Sequence, residues 1–193
     1  MSDIDQQKWN HRYAAQKTQA QPTPAAVLTE NQHLLPNTGA ALDLACGLGG
    51  NALFLARRGL QVDAWDVAEL AVEKLNELAV SQGLAVHTEA RDVVANPPPP
   101  NSFDVIVVSR FLQRQLVPSL IEALKPKGLV FYQTFVQDKP PGIGPQNPDY
   151  LLAENELLKL FSVLRILVYR EEGGVGDVLQ GFRHEAMLVG RRK

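Results

Sequence analysis

Two glycines, Gly47 and Gly49, stand four and six residues after Asp43 in the run Asp-Leu-Ala-Cys-Gly-Leu-Gly, and a second acid, Asp66, follows nineteen residues beyond Gly47. Glycines at that spacing let a backbone turn tightly and approach a ligand. With Ala52 they satisfy the G-x-G-x-x-G/A pattern of a strand-to-helix turn that receives a dinucleotide. An acid about twenty residues further on, at the end of the next strand, is placed to bind ribose hydroxyls. Taken alone, the pattern fits a nicotinamide dinucleotide. Asp43 points elsewhere: a carboxylate beside the turn opposes an anionic pyrophosphate and suits a ligand that carries ammonium and sulfonium groups. The chain also leaves little room for the separate substrate domain that a nicotinamide enzyme usually needs.

Alternating strands and helices are required to hold those residues. Apolar runs at 40–45, 61–66, 84–90, 103–109 and 129–135 read as strands, with helical segments between them. The clearest helix spans Glu69 to Gln82, where Ala71, Leu75, Leu78 and Ala79 form an apolar stripe and Gly83 ends it, as Gly59 ends the helix before. Strands separated by helices predict a parallel sheet covered on both faces, a doubly wound α/β fold. In the tail, a helix near Leu151 to Leu160 precedes runs at 163–171 and 184–191 with no helix between them, so these two are expected to be antiparallel. Residues 3–16 are predicted as a helix with Trp9 and Tyr13 on one face, followed by the linker QPTPAAV, and the prolines at 97–100 as an extended surface loop.

With 193 residues, 45% hydrophobic and 21% charged, the chain is expected to form one domain: residues 1–35 an N-terminal helical lid and linker, 36–193 an α/β core. A net charge of -2 without basic clusters disfavours nucleic acid and favours a small-molecule partner. No apolar run reaches the roughly eighteen residues that would cross a bilayer, and the N-terminus is polar, so a cytoplasmic location is expected. Cys46 is the one cysteine and has no partner for an intramolecular disulfide; it reads as a small packing residue. His11, His33 and His87 are dispersed, and no metal site is expected. Nothing in the pattern addresses oligomeric state.

The sequence resembles the class I S-adenosylmethionine-dependent methyltransferases over nearly its whole length. LDLACGLGGNALFLA is similar to their first motif, with Ala45 where a glycine is common; VDAWD resembles the second, ARDV the third, FDVIVVSRFL the fourth-strand motif, and ALKPKGLVFYQTF the signature before the fifth strand. The resemblance implies a Rossmann-like seven-stranded sheet of order 3-2-1-4-5-7-6, strand seven antiparallel, with helices on both faces. It further implies that Asp43, Ala45, Gly47, Gly49 and Asn51 contact S-adenosylmethionine, that Asp66 binds the ribose with Val67 beside it, and that Asp92 addresses the adenine amino group and Val93 its plane. Ser109 and Arg110 close the fourth-strand edge. KWNHRYAA and the absence of an inserted domain resemble the tellurite-resistance and thiopurine-methyltransferase-like group.

Methyl transfer from a sulfonium needs alignment and exclusion of water more than a catalytic dyad, and the sequence shows no such dyad. The acceptor site is therefore expected where the carboxyl edge of the sheet places loops: Ser109 to Gln113, residues 137–150, and the start of strand seven with Arg183 and His184. Arg110 is a candidate to hold an anionic acceptor, and with His184 it is the candidate catalytic pair. Trp9 and Tyr13 could form a lid against a cationic sulfur or staple the helix to the core. Asp43 and Asp66 each have a bland alternative, as a satisfied strand-end carboxylate and a helix cap. A small NAD(P)-dependent oxidoreductase and a non-catalytic S-adenosylmethionine-binding protein stand as the rival functions.

Overall fold

Strand β1 (Ala40–Leu44) shows no polar alternation because it lies inside a sheet with both faces covered, and Asp43 is its one charged residue. In the computed structural model, which describes residues 3–15 and 21–193, β1 pairs in parallel with β2 (Gln61–Asp66) on one side and β4 (Phe103–Ser109) on the other. Outward from these, β3 (Val86–Ala90) joins β2 and β5 (Leu124–Phe135) joins β4, both in parallel. Strand β7 (Glu185–Arg191) inserts antiparallel between β5 and β6 (Arg165–Arg170), giving the order β3-β2-β1-β4-β5-β7-β6 that the resemblance implied.

Successive residues point to opposite faces, and each face is covered by its own helices. Ala41, Val105, Val107 and Phe131 pack with α2 (Ala26–Glu30), α3 (Gly50–Ala56) and α4 (Glu69–Ser81). Leu42, Ile106, Val108 and Tyr132 pack with α5 (Val117–Ala123) and α6 (Glu156–Leu160). The N-terminal helix α1 (Asp3–Ala15) lies against α4, where Lys74 Nζ donates to the Tyr13 carbonyl at 2.7 Å and Leu70 N donates to Asn10 Oδ1 at 3.3 Å. Residue 16 of the expected first helix, and residues 1 and 2, lie outside the described residues. No described helix is long and apolar enough to cross a membrane.

Several expected boundaries differ, three of them for a reason visible in the hydrogen bonds. The helix drawn from Leu151 starts only at Glu156, because Leu152 forms a bridge with Val136: its N–H donates to the Phe135 carbonyl and its own carbonyl accepts from Gln137 N, both at 2.9 Å. Asn155 then enters the left-handed region at φ 57° to begin the helix. Strand β5 starts at Leu124 rather than 129, where Leu124 pairs with Phe103 ahead of a register shift. Strand β3 loses Leu84 and Ala85, since Leu84 N closes the end of α4 on the Ala79 carbonyl.

Candidate functional site

The turn after β1 runs through three left-handed residues, Ala45 at φ 56°, Gly47 at 53° and Gly49 at 79°. Ala45 adopts it with a side chain, at a cost of roughly 1 kcal/mol. A Cβ on Gly47 would meet the Tyr13 hydroxyl at 2.7 Å, so helix α1 closes directly over the turn. The fingerprint reading passed over Gly50, yet a Cβ there would lie 2.3 Å from the Thr23 carbonyl oxygen. The segment entering α2 crosses the start of α3 at backbone contact, and only a missing side chain permits it.

Asp66 holds the backbone on two sides of the turn. Its Oδ2 accepts from Gly47 N at 2.8 Å and its Oδ1 from Ala68 N at 2.9 Å, so it ties the glycine turn to the start of α4. Burial raises its carboxyl above the ordinary value, opposed by those backbone donors. It also lines a cavity of about 290 Å³ at the carboxyl edge of the sheet. That cavity brings together Trp9, Tyr13, Ala45, Gly47, Gly49, Asn51, Asp66, Val67, Val93, Ser109 and Arg110. The rings of Trp9 and Tyr13 stack with centroids 6.0 Å apart. Burial, then the Asp66 charge, push the Tyr13 hydroxyl up from its ordinary pKa, so it stays a neutral phenol.

Two expected ligand contacts fall outside this cavity. Asp43 is fully buried beneath the turn, its Oδ1 accepting from Asn51 Nδ2 at 3.2 Å and its Oδ2 from Ala52 N at 2.9 Å. The direct contact with an ammonium or sulfonium group is corrected to a supporting role. The same bond occupies a first-turn N–H of α3 with a carboxylate, which leaves that helix end poorly suited to a pyrophosphate. Asp92 accepts from Val94 N at 2.9 Å and Ala95 N at 3.2 Å and shapes the turn after β3 instead of lining the cavity. Phe111, within the expected Ser109 to Gln113 segment, lines the cavity too, and Pro22, Thr23, Arg12 and Arg91 join it without having been expected there. Of the latter, only Arg12, adjacent to Tyr13, and Arg91, inside the third motif, had a signal in their positions.

Asn51 joins the parts. Its Nδ2 reaches Asp43 and the Ser109 Oγ, the latter at 3.0 Å, while its Oδ1 accepts from Ala25 N at 2.9 Å. Burial pushes the Asp43 carboxyl up to about 7, its two donors holding it down. An acid raised on folding keeps a proton that the unfolded chain has lost. Its contribution to stability is full below pH about 4 and is lost as pH rises through about 7. Asp43→Asn removes the titration, so the stability of the native chain relative to that variant is expected to fall between pH 4 and 7 and to level above it, as measured by urea unfolding across that range.

Arg110, at φ 54°, stands where the first cavity meets a second of about 430 Å³ and a third of about 520 Å³. Its backbone N donates to the Gln133 carbonyl at 2.8 Å and its Nε to Glu185 Oε1 at 2.9 Å. Gln133 Nε2 donates to Glu185 Oε2, and Gln133 Oε1 accepts from Val27 N at 2.7 Å. His184, at φ 67° just ahead of β7, lines the second cavity together with Arg183. Cys46 is buried against the turn, and burial pushes its thiol well above the ordinary value, which suits packing and not nucleophilic chemistry. Among the described residues no group of three or more His, Cys, Asp or Glu could hold a metal ion.

Residues 7–180 match the family described as "Tellurite resistance protein TehB". Over 142 residues the chain is 33% identical to the "Probable S-adenosyl-L-methionine-dependent methyltransferase TehB" of Haemophilus influenzae, covering 69% of this chain and 48% of that protein. Over 100 residues it is 33% identical to the ubiquinone biosynthesis O-methyltransferase of Idiomarina loihiensis, covering 48% of this chain and 41% of that one. The crystal structure of TehB from Haemophilus influenzae superposes with a TM-score of 0.73 at 24% identity, covering 95% of this chain and 67% of the other. A geranyl diphosphate C-methyltransferase from Streptomyces coelicolor superposes at 0.68 and 13% identity, covering 86% and 75%. The two superpositions show a shared fold, and the chain spans about half the length of the curated relatives it matches.

Proposed function

We propose that this chain, which belongs to the tellurite-resistance TehB family, transfers the methyl group of S-adenosylmethionine to a small-molecule acceptor: a thiol, a chalcogen oxyanion or a similar nucleophile. The carrying observation is the first cavity, in which the glycine turn, the buried Asp66 carboxylate and the stacked rings of Trp9 and Tyr13 face one space at the carboxyl edge of the sheet. The relatives' names support the same donor. The residues fit it. Asp66 spends one lone pair of each oxygen on backbone N–H groups and keeps acceptor capacity for two ribose hydroxyls. The apolar side chain of Val93 offers a surface for a flat base, and the ring of Tyr13, stacked on a Trp9 ring that already carries the Arg12 guanidinium 5.0 Å from its centroid, offers a face to a cationic sulfur.

S-adenosylmethionine supplies an activated methyl group, so the protein's task is alignment and the exclusion of water. In the transfer, the acceptor's lone pair forms the new bond to carbon and the carbon–sulfur pair stays on sulfur. A protic acceptor releases its proton to solvent. Arg110 and His184 are the side chains we place beside the acceptor, with Ser109 fixed by Asn51 between the two cavities. Helix α1 acts as the lid, with Pro22 and Thr23 beside it at the first cavity.

The test measures S-adenosylhomocysteine formed from S-adenosylmethionine with dithiothreitol, selenite or tellurite. Product is expected with at least one acceptor. Trp9→Ala, which removes the ring stacked on Tyr13 and the seat of the Arg12 guanidinium in the cavity wall, is expected to raise the donor KM roughly tenfold while changing kcat little. Donor binding without product from any acceptor would favour the non-catalytic binding protein. The oxidoreductase alternative loses its footing in the occupied N-terminus of α3 and in the family match.

A further inference from the structure

Ser109 ends β4 and lines both the first cavity and the second, which runs on over the carboxyl end of β5 to His184 and Glu185 at the start of β7. The role of its hydroxyl is set by the groups behind it. Asn51 Oδ1 accepts from the backbone N–H of Ala25 at 2.9 Å, so the Asn51 amide cannot turn round without setting its own N–H groups against that donor. Its Nδ2 is left to face the sheet. There it donates to Asp43 Oδ1 at 3.2 Å and to Ser109 Oγ at 3.0 Å, which uses both of its N–H groups. Ser109 Oγ is thus an acceptor within the protein, and no group among the described residues accepts its proton.

The same bond gives the proton its side. Asn51 lines the first cavity and not the second, so it meets Oγ from the first, and a proton turned away from Asn51 stands toward the second. The next side chain adds donors of the same kind. Arg110 commits its Nε to Glu185 Oε1 at 2.9 Å, while its two Nη groups have no partner among the described residues, and it too lines both cavities. Donors without acceptors therefore meet where the two cavities join. Their complement is a group that carries oxygen lone pairs.

Resting on the methyltransferase reading above, we propose that Ser109 orients the methyl acceptor, its O–H donating to an oxygen of the acceptor that is bonded to the atom taking the methyl group. A donor placed on that oxygen leaves the lone pair of the accepting atom free to face the first cavity. With selenite, the selenium lone pair forms the new bond to carbon, the carbon–sulfur pair stays on sulfur, and the oxygens remain on their donors. With a thiolate, the same O–H would hold the sulfur itself and lower its nucleophilicity. Ser109 thereby favours acceptors that carry oxygen beside the accepting atom, and Asn51 acts through it as a positioning residue.

The test is calorimetric titration, first with S-adenosylhomocysteine and then, on the saturated protein, with selenite and with dithiothreitol. Selenite is expected to bind the native chain, and more tightly than dithiothreitol. Ser109→Ala is expected to weaken selenite roughly tenfold or more, as the loss of a hydrogen bond to a charged group, and to leave S-adenosylhomocysteine within about twofold. Ser109→Cys, of nearly the same shape but a weak donor, is expected to reproduce that loss and decides the matter if Ser109→Ala does not fold. Ser109→Thr keeps the hydroxyl and is expected to hold selenite within about threefold of the native chain, a rescue that a packing role alone would not give. Selenite binding unchanged in the folded alanine or cysteine variant, no rescue by threonine, an equal loss of S-adenosylhomocysteine, tighter binding of dithiothreitol, or no selenite binding by the native chain overturns this inference alone. Failure of S-adenosylhomocysteine to bind the native chain overturns the methyltransferase reading and this inference with it.

Discussion

Asp66→Asn is expected to weaken S-adenosylhomocysteine binding about a hundredfold or more and to lower stability by about 1–3 kcal/mol. The carboxylate accepts from Gly47 N and from Ala68 N through different oxygens. An asparagine has one acceptor oxygen, so its amide nitrogen must face one of the two donors and leave a buried N–H unsatisfied. The same substitution removes charge-assisted hydrogen bonds to the ribose, each worth about 1.5–3 kcal/mol, and loosens the turn that shapes the cavity. Calorimetry and thermal unfolding on one sample read the two effects. A loss of stability with undiminished affinity would leave Asp66 a turn-and-cap residue and place the ribose elsewhere.

Gly50→Val is expected to lower the Tm by roughly 5–10 °C and to weaken ligand binding at least tenfold, through overpacking of about 2–3 kcal/mol. A Cβ at this position would lie 2.3 Å from the Thr23 carbonyl oxygen and 2.6 Å from its carbon, atoms that no rotamer change can move aside. The segment carrying Thr23 must lift off, and with it go the Ala25 N to Asn51 Oδ1 bond and the Thr23 wall of both cavities. Gly83→Ala supplies the contrast. Gly83, unlike Gly50, is left-handed, at φ 64°, but a Cβ there meets nothing within 4 Å, so only the backbone strain of roughly 1 kcal/mol is expected, with ligand binding unchanged. Equal effects of the two substitutions would contradict the crossing of the two segments as the cause.

The contrast between these glycines marks what the sequence can carry. Gly47, Gly49 and Asp66 were legible because a strand, a turn and a helix in succession fix where such residues point, and that succession is local. Strands separated by helices until the final pair made the parallel sheet and its antiparallel end legible in the same way, while the strand order came from the family resemblance. Gly50 was not legible as a packing residue, since its neighbour Thr23 approaches from a segment 27 residues earlier. Asp43 was misread for a related reason: its spacing from the turn is that of a ligand contact, but the alternation of β1 turns it under the helix, where Asn51 and Ala52 N take both oxygens. Glu185 left no signal at all. Its surroundings depend on Arg110, just after β4, and Gln133 of β5 donating to one carboxylate while Val27 N of α2 fixes the Gln133 amide, a long-range arrangement that neither spacing nor periodicity encodes.

Titration of the folded protein with S-adenosylhomocysteine, with NAD and NADP run in parallel under the same conditions, tests the central claim most directly. Saturable one-to-one binding of S-adenosylhomocysteine, with neither dinucleotide binding, is the predicted result. Binding of NAD or NADP in its place, or of none of the three, would contradict the assignment of the first cavity to the adenosyl methyl donor.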